Sequence, residues 1–201
     1  YRCLFPDFRG HGRTTSESLQ WNSRKIADDM AQFLDALNIE CAHLIGYSCG
    51  AYVGYYMASK YPEKVKSLVT IGGGAYPRPN GADDFLPENL LRNNDTDFIE
   101  SMKHRHFDAH RGDWQTYLRM TVDDWKNHPN LSDREWKNIK CPAFFINGEN
   151  DPFGTCMELQ EKVPNSRVYE VAGSGHRPHF VGEQIEKINP MILDFLNNVD
   201  A

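Results

Sequence analysis

The sequence lacks any excess of positive charge: 22 lysines and arginines face 28 aspartates and glutamates, for a formal net charge of −6. A surface of that sign repels phosphate backbones and excludes nucleic-acid binding as the expected function. Long apolar runs are missing too. The longest hydrophobic stretches are strand-sized, far short of the roughly 20 residues that a membrane-spanning helix needs. Cysteine is sparse: Cys3, Cys41, Cys49, Cys141 and Cys156 are odd in number and scattered, with no paired metal spacing. Reduced thiols in a cytoplasmic protein are the simplest expectation, and no leader-like stretch opens the chain. There is no repeat and no low-complexity tract. The 201 residues, 40% hydrophobic and 12% aromatic, suffice for one core, or a core plus a small lid.

What is present is an alternation of two periodicities. Strand-like apolar runs fall at residues 2–6, 41–45, 65–71, 142–146 and 167–171. Between them, Ile26, Met30, Phe33, Leu34 and Leu37 recur at helical spacing behind Ser23, a candidate N-cap. Residues 51–61 read as a buried helix, and Ile185, Ile188, Ile192, Phe195 and Leu196 form one stripe of a last helix. Near-continuous apolar strands alternating with helices predict an α/β protein: a mostly parallel sheet with helices on both faces. Residues 76–138 break the rhythm. They open on "YPRPNG", are rich in Trp, His, Asp and Asn, and close at "WKNIKCP". They predict a helical cap inserted between the two parts of the core, 1–75 and 139–201. Helices are expected at 97–107 and 113–126, the second with Trp114, Tyr117, Leu118, Val122 and Trp125 on its apolar face.

One pentapeptide carries chemistry. Gly46-Tyr47-Ser48-Cys49-Gly50 fits Gly-x-Ser-x-Gly, directly after a strand and directly before a helix, the setting of a nucleophile elbow. Small residues at 46 and 50 would let strand and helix approach, and the backbone N–H of Cys49 would face a developing oxyanion. A serine hydroxyl is a weak nucleophile that needs a general base, and the base needs an orienting acid. "AFFINGENDPFG" places Asp151 in a loop after a strand, and "YEVAGSGHRPHF" places His176 in the loop after the last strand. Both loops lie at the carboxyl ends of the predicted parallel strands, where sites of such sheets form. Glu149 and His179 are the alternatives for acid and base. The spacing of His106 and His110 suits a metal on a helix, but no third ligand is placed, so neither a metal nor an organic cofactor is expected. "GGGAYPRP" lacks the Lys-Ser/Thr ending of a phosphate loop, and His11 in "RGHGR" reads as structural.

Four stretches together, "PDFRGHGRT" (6–14), "GYSCGAYVGYYMASKYPEKVKSLVTIGG" (46–73), "NGENDPFG" (147–154) and "GSGHRPHF" (173–180), resemble the α/β-hydrolase superfamily, in its lidded esterase-like group. The resemblance implies Ser48 as nucleophile, His176 as base then acid, and Asp151 as its orienter. Serine rather than aspartate at 48 disfavours haloalkane dehalogenase and soluble epoxide hydrolase chemistry. Superfamily members carry three further strands and an oxyanion loop ahead of "PDFRGHG", so the fold is expected to be N-terminally incomplete. Without the second oxyanion donor, worth roughly 2.7–4 kcal/mol, the chain alone is expected to be impaired. An exposed sheet edge would then invite a homodimer.

Two functions follow. One is a serine hydrolase taking a small-molecule acyl substrate, with Tyr47, Phe107, Trp114, Tyr117 and Trp125 as candidate pocket residues; a perhydrolase or C–C-bond hydrolase would use the same triad. The other is a non-catalytic ligand-binding protein on the same fold.

Overall fold

The computed structural model describes residues 1–15 and 20–201. The chain forms two compact units, one of Tyr1–Ile26 with Arg78–Asn127 and the other of Ala27–Pro77 with His128–Ala201.

The second unit holds a four-stranded parallel sheet in the order β1 (Ala42–Tyr47), β2 (Val65–Ile71), β3 (Ala143–Gly148), β4 (Arg167–Val171). The pairing β1–β2 runs Gly46 opposite Thr70 and Tyr47 opposite Ile71, and β2–β3 sets Ile71 opposite Ile146. Side chains alternate across each strand with period two, and the two faces are covered by different helices. Val69 and Ile71 of β2, Phe144 and Ile146 of β3 and Val171 of β4 pack with Ile188, Ile192, Phe195 and Leu196 of α8 (Gln184–Asp200). On the other face lies α2 (Cys49–Lys60), whose Tyr55 meets Phe145 edge-on at 6.1 Å and Thr70 through its hydroxyl at 3.4 Å. Residues at i, i+4, i+7 and i+8 of α8 make the buried stripe. Ile185, expected in it, is 45% exposed, and Pro190 sits on the solvent side, where the backbone bond that proline cannot donate lies outside the core.

The turn from β1 into α2 fixes the rest. A Cβ on Gly46 would lie 2.2 Å from the carbonyl oxygen of Gly50, so the strand and helix backbones touch there. The Cβ site at Gly50 is open; the close approach thus demands a glycine at 46 and only a carbonyl at 50.

Residues 2–6, expected as a strand, form none. A strand exists only in a ladder, and β1 and β4 are the outer members of this sheet. Residues 1–26 instead share a unit with 78–127, and the expected 76–138 insertion yields its last part, with α6 (Asp133–Lys137), to the sheet unit. In the first unit lie α3 (Pro87–Arg92), α4 (Thr96–Arg105) and α5 (Trp114–Asn127). The helix α1 (Ser23–Ala36) crosses from one unit to the other along the chain. Its N-cap is Asn22, whose side-chain oxygen accepts from Lys25 N at 3.0 Å, one residue before the expected Ser23. Ser23 is buried and occupied elsewhere: its N–H and hydroxyl donate to the two carboxylate oxygens of Asp124 at 2.7 and 2.6 Å. Three short helices escaped the periodicity reading, α3, α6 and α7 (Cys156–Lys162); the last two are opened by capping boxes, Ser132 with Glu135 and Thr155 with Glu158. No helix among the described residues is long and apolar enough to cross a membrane.

Three histidines sit together in the first unit. Gly12 N–H donates to His106 Nδ1, and Trp21 Nε1–H donates to His110 Nε2, each at 3.0 Å. His11 packs on Trp21, His106 and Tyr117 with ring centroids 4.6, 5.7 and 5.2 Å away, and its Nδ1 donates to the Arg9 carbonyl. A ring nitrogen that accepts an N–H cannot also hold a proton, so the contacts require neutral His106 and His110. Burial pushes all three below the ordinary histidine value, His106 to about 4, with the charges of His11 and Arg105 adding to it and Asp7 opposing.

Two expectations follow. Gly46→Ala should destabilise the protein by about 1–3 kcal/mol or prevent folding, because overpacking falls on rigid backbone. Gly50→Ala, within a helix, should be neutral or stabilising by up to roughly 1 kcal/mol; urea denaturation of the two variants checks the contrast. The unfolded chain binds protons at His11, His106 and His110 that the folded chain refuses, so stability is complete above pH 6.5 and drains as pH falls toward 4. Melting temperature should drop over that window. His106→Asn, which keeps an acceptor for the Gly12 amide but cannot titrate, should flatten the slope.

Candidate active site

Ser48 is the one residue between β1 and α2. Its N–H continues the ladder to Ile71 O at 2.9 Å, while its own carbonyl already accepts from Ala51 N at 2.8 Å. Serving strand and helix at once forces φ to +55° and ψ to −119°, a conformation that costs a residue with a Cβ roughly 1–3 kcal/mol. Cys49 is the first residue of α2, so its amide lies at the positive end of the helix dipole, in the first turn, where anions are favoured.

The Ser48 hydroxyl lies 2.9 Å from His176 Nε2. On the other side of that ring, Nδ1 is 3.2 Å from both Oδ1 and Oδ2 of Asp151. A carboxylate only accepts, so Nδ1 carries the imidazole proton and Nε2 is left with its lone pair toward Ser48. The Asp151 side chain is fully buried, whereas that of His176 keeps 21% of its surface. Oδ1 of Asp151 also accepts from Phe153 N at 3.0 Å, which fixes the carboxyl rotamer. Each of the three residues hangs at the carboxyl end of a different strand: Ser48 after β1, Asp151 after β3 and His176 after β4.

The alternatives go elsewhere. Glu149 accepts the Gly173 N–H at 2.7 Å and thereby braces the loop that carries His176, with Asn150 N donating to Ser174 O at 2.8 Å beside it. His179 packs on Phe180 and Tyr47 with centroids at 4.2 and 5.0 Å, and its buried Nδ1 has no hydrogen-bond partner. Burial and the nearby charges of Arg177 and His176 hold His179 below its usual value, toward the neutral form.

Of the five candidate pocket residues, the structure brings Tyr47 beside His176, the two rings 5.2 Å apart. Burial raises its hydroxyl above the usual tyrosine value, against a hydrogen bond with Arg177. The other four belong to the first unit. Phe107 is 56% exposed there, and Trp114 lies under the Lys103 ammonium at 5.8 Å. Tyr117 is buried and stacked on His106 at 4.0 Å, and Trp125 stands edge-on to Phe85 at 5.4 Å. His106 and His110, whose spacing would suit a helix, lie in different segments, since α4 ends at Arg105; each has a ring nitrogen engaged as an acceptor.

Two contributors are absent from the sequence reading. Phe153 packs on His176 at 4.5 Å between centroids; the signal for it was its place two residues beyond Asp151. Gly72, with φ +66°, lies so close under His176 that a Cβ there would stand 2.8 Å from the His176 carbonyl oxygen. The "GGG" ending of β2 marks that contact only once the topology sets it beside the last loop.

A family model described as alpha/beta hydrolase fold matches residues 1–183. The chain is 27% identical to a 2-hydroxy-6-oxononadienedioate/2-hydroxy-6-oxononatrienedioate hydrolase of Paraburkholderia phymatum, over 98% of this chain and 76% of that protein. It is 33% identical to a Caulobacter vibrioides protein that carries the name carbamate hydrolase RutD, over 94% of this chain and 78% of that protein. Among solved structures, a carboxylesterase of the Thaumarchaeon Nitrososphaera gargenis superposes with a TM-score of 0.70 at 20% identity, covering 96% of this chain and 79% of that one. An enol-lactonase from Burkholderia xenovorans gives 0.69 at 20% identity, over 95% and 79%. The parallel sheet, the strand-to-helix turn at Ser48 and the family match over most of the chain converge: this protein belongs to the alpha/beta hydrolase fold family.

Proposed function

We propose that the protein is a serine hydrolase that cleaves a small carboxylic ester or related acyl substrate through an acyl-enzyme on Ser48. The observation that carries the reading is the unbroken relay from Ser48 Oγ to His176 Nε2 and from His176 Nδ1 to the buried Asp151 carboxylate.

The steps follow from that relay. His176 Nε2 takes the Ser48 proton as Oγ attacks the acyl carbon, and the imidazolium formed is stabilised by the Asp151 carboxylate. The carbonyl oxygen becomes an oxyanion, and the Cys49 amide at the start of α2 is the donor this chain supplies for it. His176 then hands its proton to the leaving alcohol. A water enters, gives a proton to His176 and its oxygen to the acyl carbon, and Ser48 leaves with the proton returned. Tyr47 and Phe153 flank the imidazole and limit its movement.

A second reading, a hydrolase that cuts a carbon–carbon bond beside a ketone with the same three residues, is favoured by one observation. The dienedioate named in the Paraburkholderia phymatum relative has no ester group.

Intact-mass spectrometry after a fluorophosphonate probe tests the shared core of both readings. The expected result is one adduct on the wild type and none on Ser48→Ala. A wild type that stays unmodified would sink the reading and leave a ligand-binding role. Turnover of short p-nitrophenyl esters separates the first reading from the second. Asp151→Asn should then lower kcat by up to about 10⁴-fold, because the amide favours the wrong imidazole tautomer.

A further inference from the structure

We propose that Asn147 is a positioning residue for Asp151, acting by tying the loop after β3 to the loop after β2. The inference rests on the reading of Ser48, His176 and Asp151 as the reacting group.

Asn147 lies on β3 and is fully buried. Its Nδ2 spends both protons on carbonyls of two different loops, Gly73 O at 2.7 Å and Gly154 O at 2.9 Å. Its Oδ1 is buried without a hydrogen-bond partner. As a core filler such a residue is unfavourable, since an apolar side chain would leave no orphaned carbonyl. What the amide provides is the two donated bonds.

Those bonds act where side chains cannot. The two loops touch backbone to backbone: a Cβ on Gly154 would lie 2.3 Å from Gly74 Cα, and one on Gly74 would lie 1.9 Å from Phe153 O. Without a shared donor, two carbonyl oxygens would face one buried space with no proton between them. Gly154 follows Phe153, whose N–H holds the Asp151 carboxylate and whose ring packs on His176. The chain of constraint therefore runs from Asn147 through Gly154 and Phe153 to Asp151, then to His176 Nδ1. On the other loop, Gly73 follows Gly72, which packs directly under His176. Asn147 thus sets the acid and the floor under the base in one register, touching neither substrate nor reacting atoms.

The test compares wild type, Asn147→Ala, Asn147→Asp and Ile192→Ala, a core variant in α8 on the opposite face of the sheet. Three quantities are read well below every melting temperature: stability, the second-order rate of fluorophosphonate labelling at Ser48, and the downfield proton resonance of the His176 Nδ1–H. We expect Asn147→Ala to label about 10- to 100-fold more slowly, as a small misplacement of a reacting group does, and to lose or shift the resonance. Ile192→Ala should lose stability while keeping both the rate and the resonance. If Asn147→Ala does not fold, Asn147→Asp replaces it, being isosteric but without a proton for either carbonyl when ionised. Labelling and resonance like wild type in either folded Asn147 variant would overturn the proposal. A wild type that is never labelled defeats the Ser48 reading instead, and the resonance still reports whether Asn147 governs the Asp151–His176 contact.

Discussion

The contact on which the site depends is the touch of two backbones, Gly46 of β1 against the carbonyl of Gly50 in α2. Because the helix starts so tightly against its strand, the one residue between them must close the ladder to Ile71 and open the helix to Ala51. Only a positive φ does both, and Ser48 holds it. The strain is borne by the packing on either side: Tyr55 of α2 on Phe145, and the β2–β3 pair locked to α8. The Ser48 hydroxyl is thereby held at the end of the sheet, 2.9 Å from His176 Nε2.

The rest of the arrangement is a problem of bringing three loops into register at that end. Parallel strands solve half of it, since β1, β3 and β4 all deliver their loops at one edge. The other half is solved by buried amide, carboxylate and glycine. Glu149 holds the amide of Gly173, Asn147 holds the carbonyls of Gly73 and Gly154, and Gly72, Gly74, Gly148 and Gly154 stand where any Cβ would collide with the neighbouring loop. Backbone contacts of this kind deform little, so the loop that carries His176 is held in register with the other two.

The first unit shows the converse. There, residues that attract attention as chemistry serve the fold. His106 and His110 accept from Gly12 and Trp21, Ser23 and Asp124 satisfy one another in the interior, and Tyr117 stacks on His106. Polar side chains buried in pairs form a core whose state depends on protonation, unlike the aliphatic seam beneath α8.

Local pattern was enough for the four strands of the sheet, for α1, α2, α4, α5 and α8 and for the elbow, because short continuous apolar runs, period-3.6 stripes and the demand for glycine beside a strained serine are written residue by residue. The order Ser48, Asp151, His176 was legible for the same reason, each following an apolar strand. The short helices α3, α6 and α7 were not, since five to seven residues give no readable period and only the capping boxes of α6 and α7 announce them. Nor was the cap of α1, since Asn22 and Ser23 are equally good capping residues until Asp124, about a hundred positions away in the chain, claims one of them. Residues 2–6 have strand composition, and a strand needs a neighbour that composition cannot supply. The sequence by itself determined the longer elements of the sheet unit and the strand ends that carry Ser48, Asp151 and His176, because these depend on interactions a few residues long. Only the tertiary structure decided that Glu149 and Asn147 brace loops, that Phe153 and Gly72 lie against the imidazole and that His106 and His110 accept hydrogen bonds, because those facts depend on which distant groups need a partner.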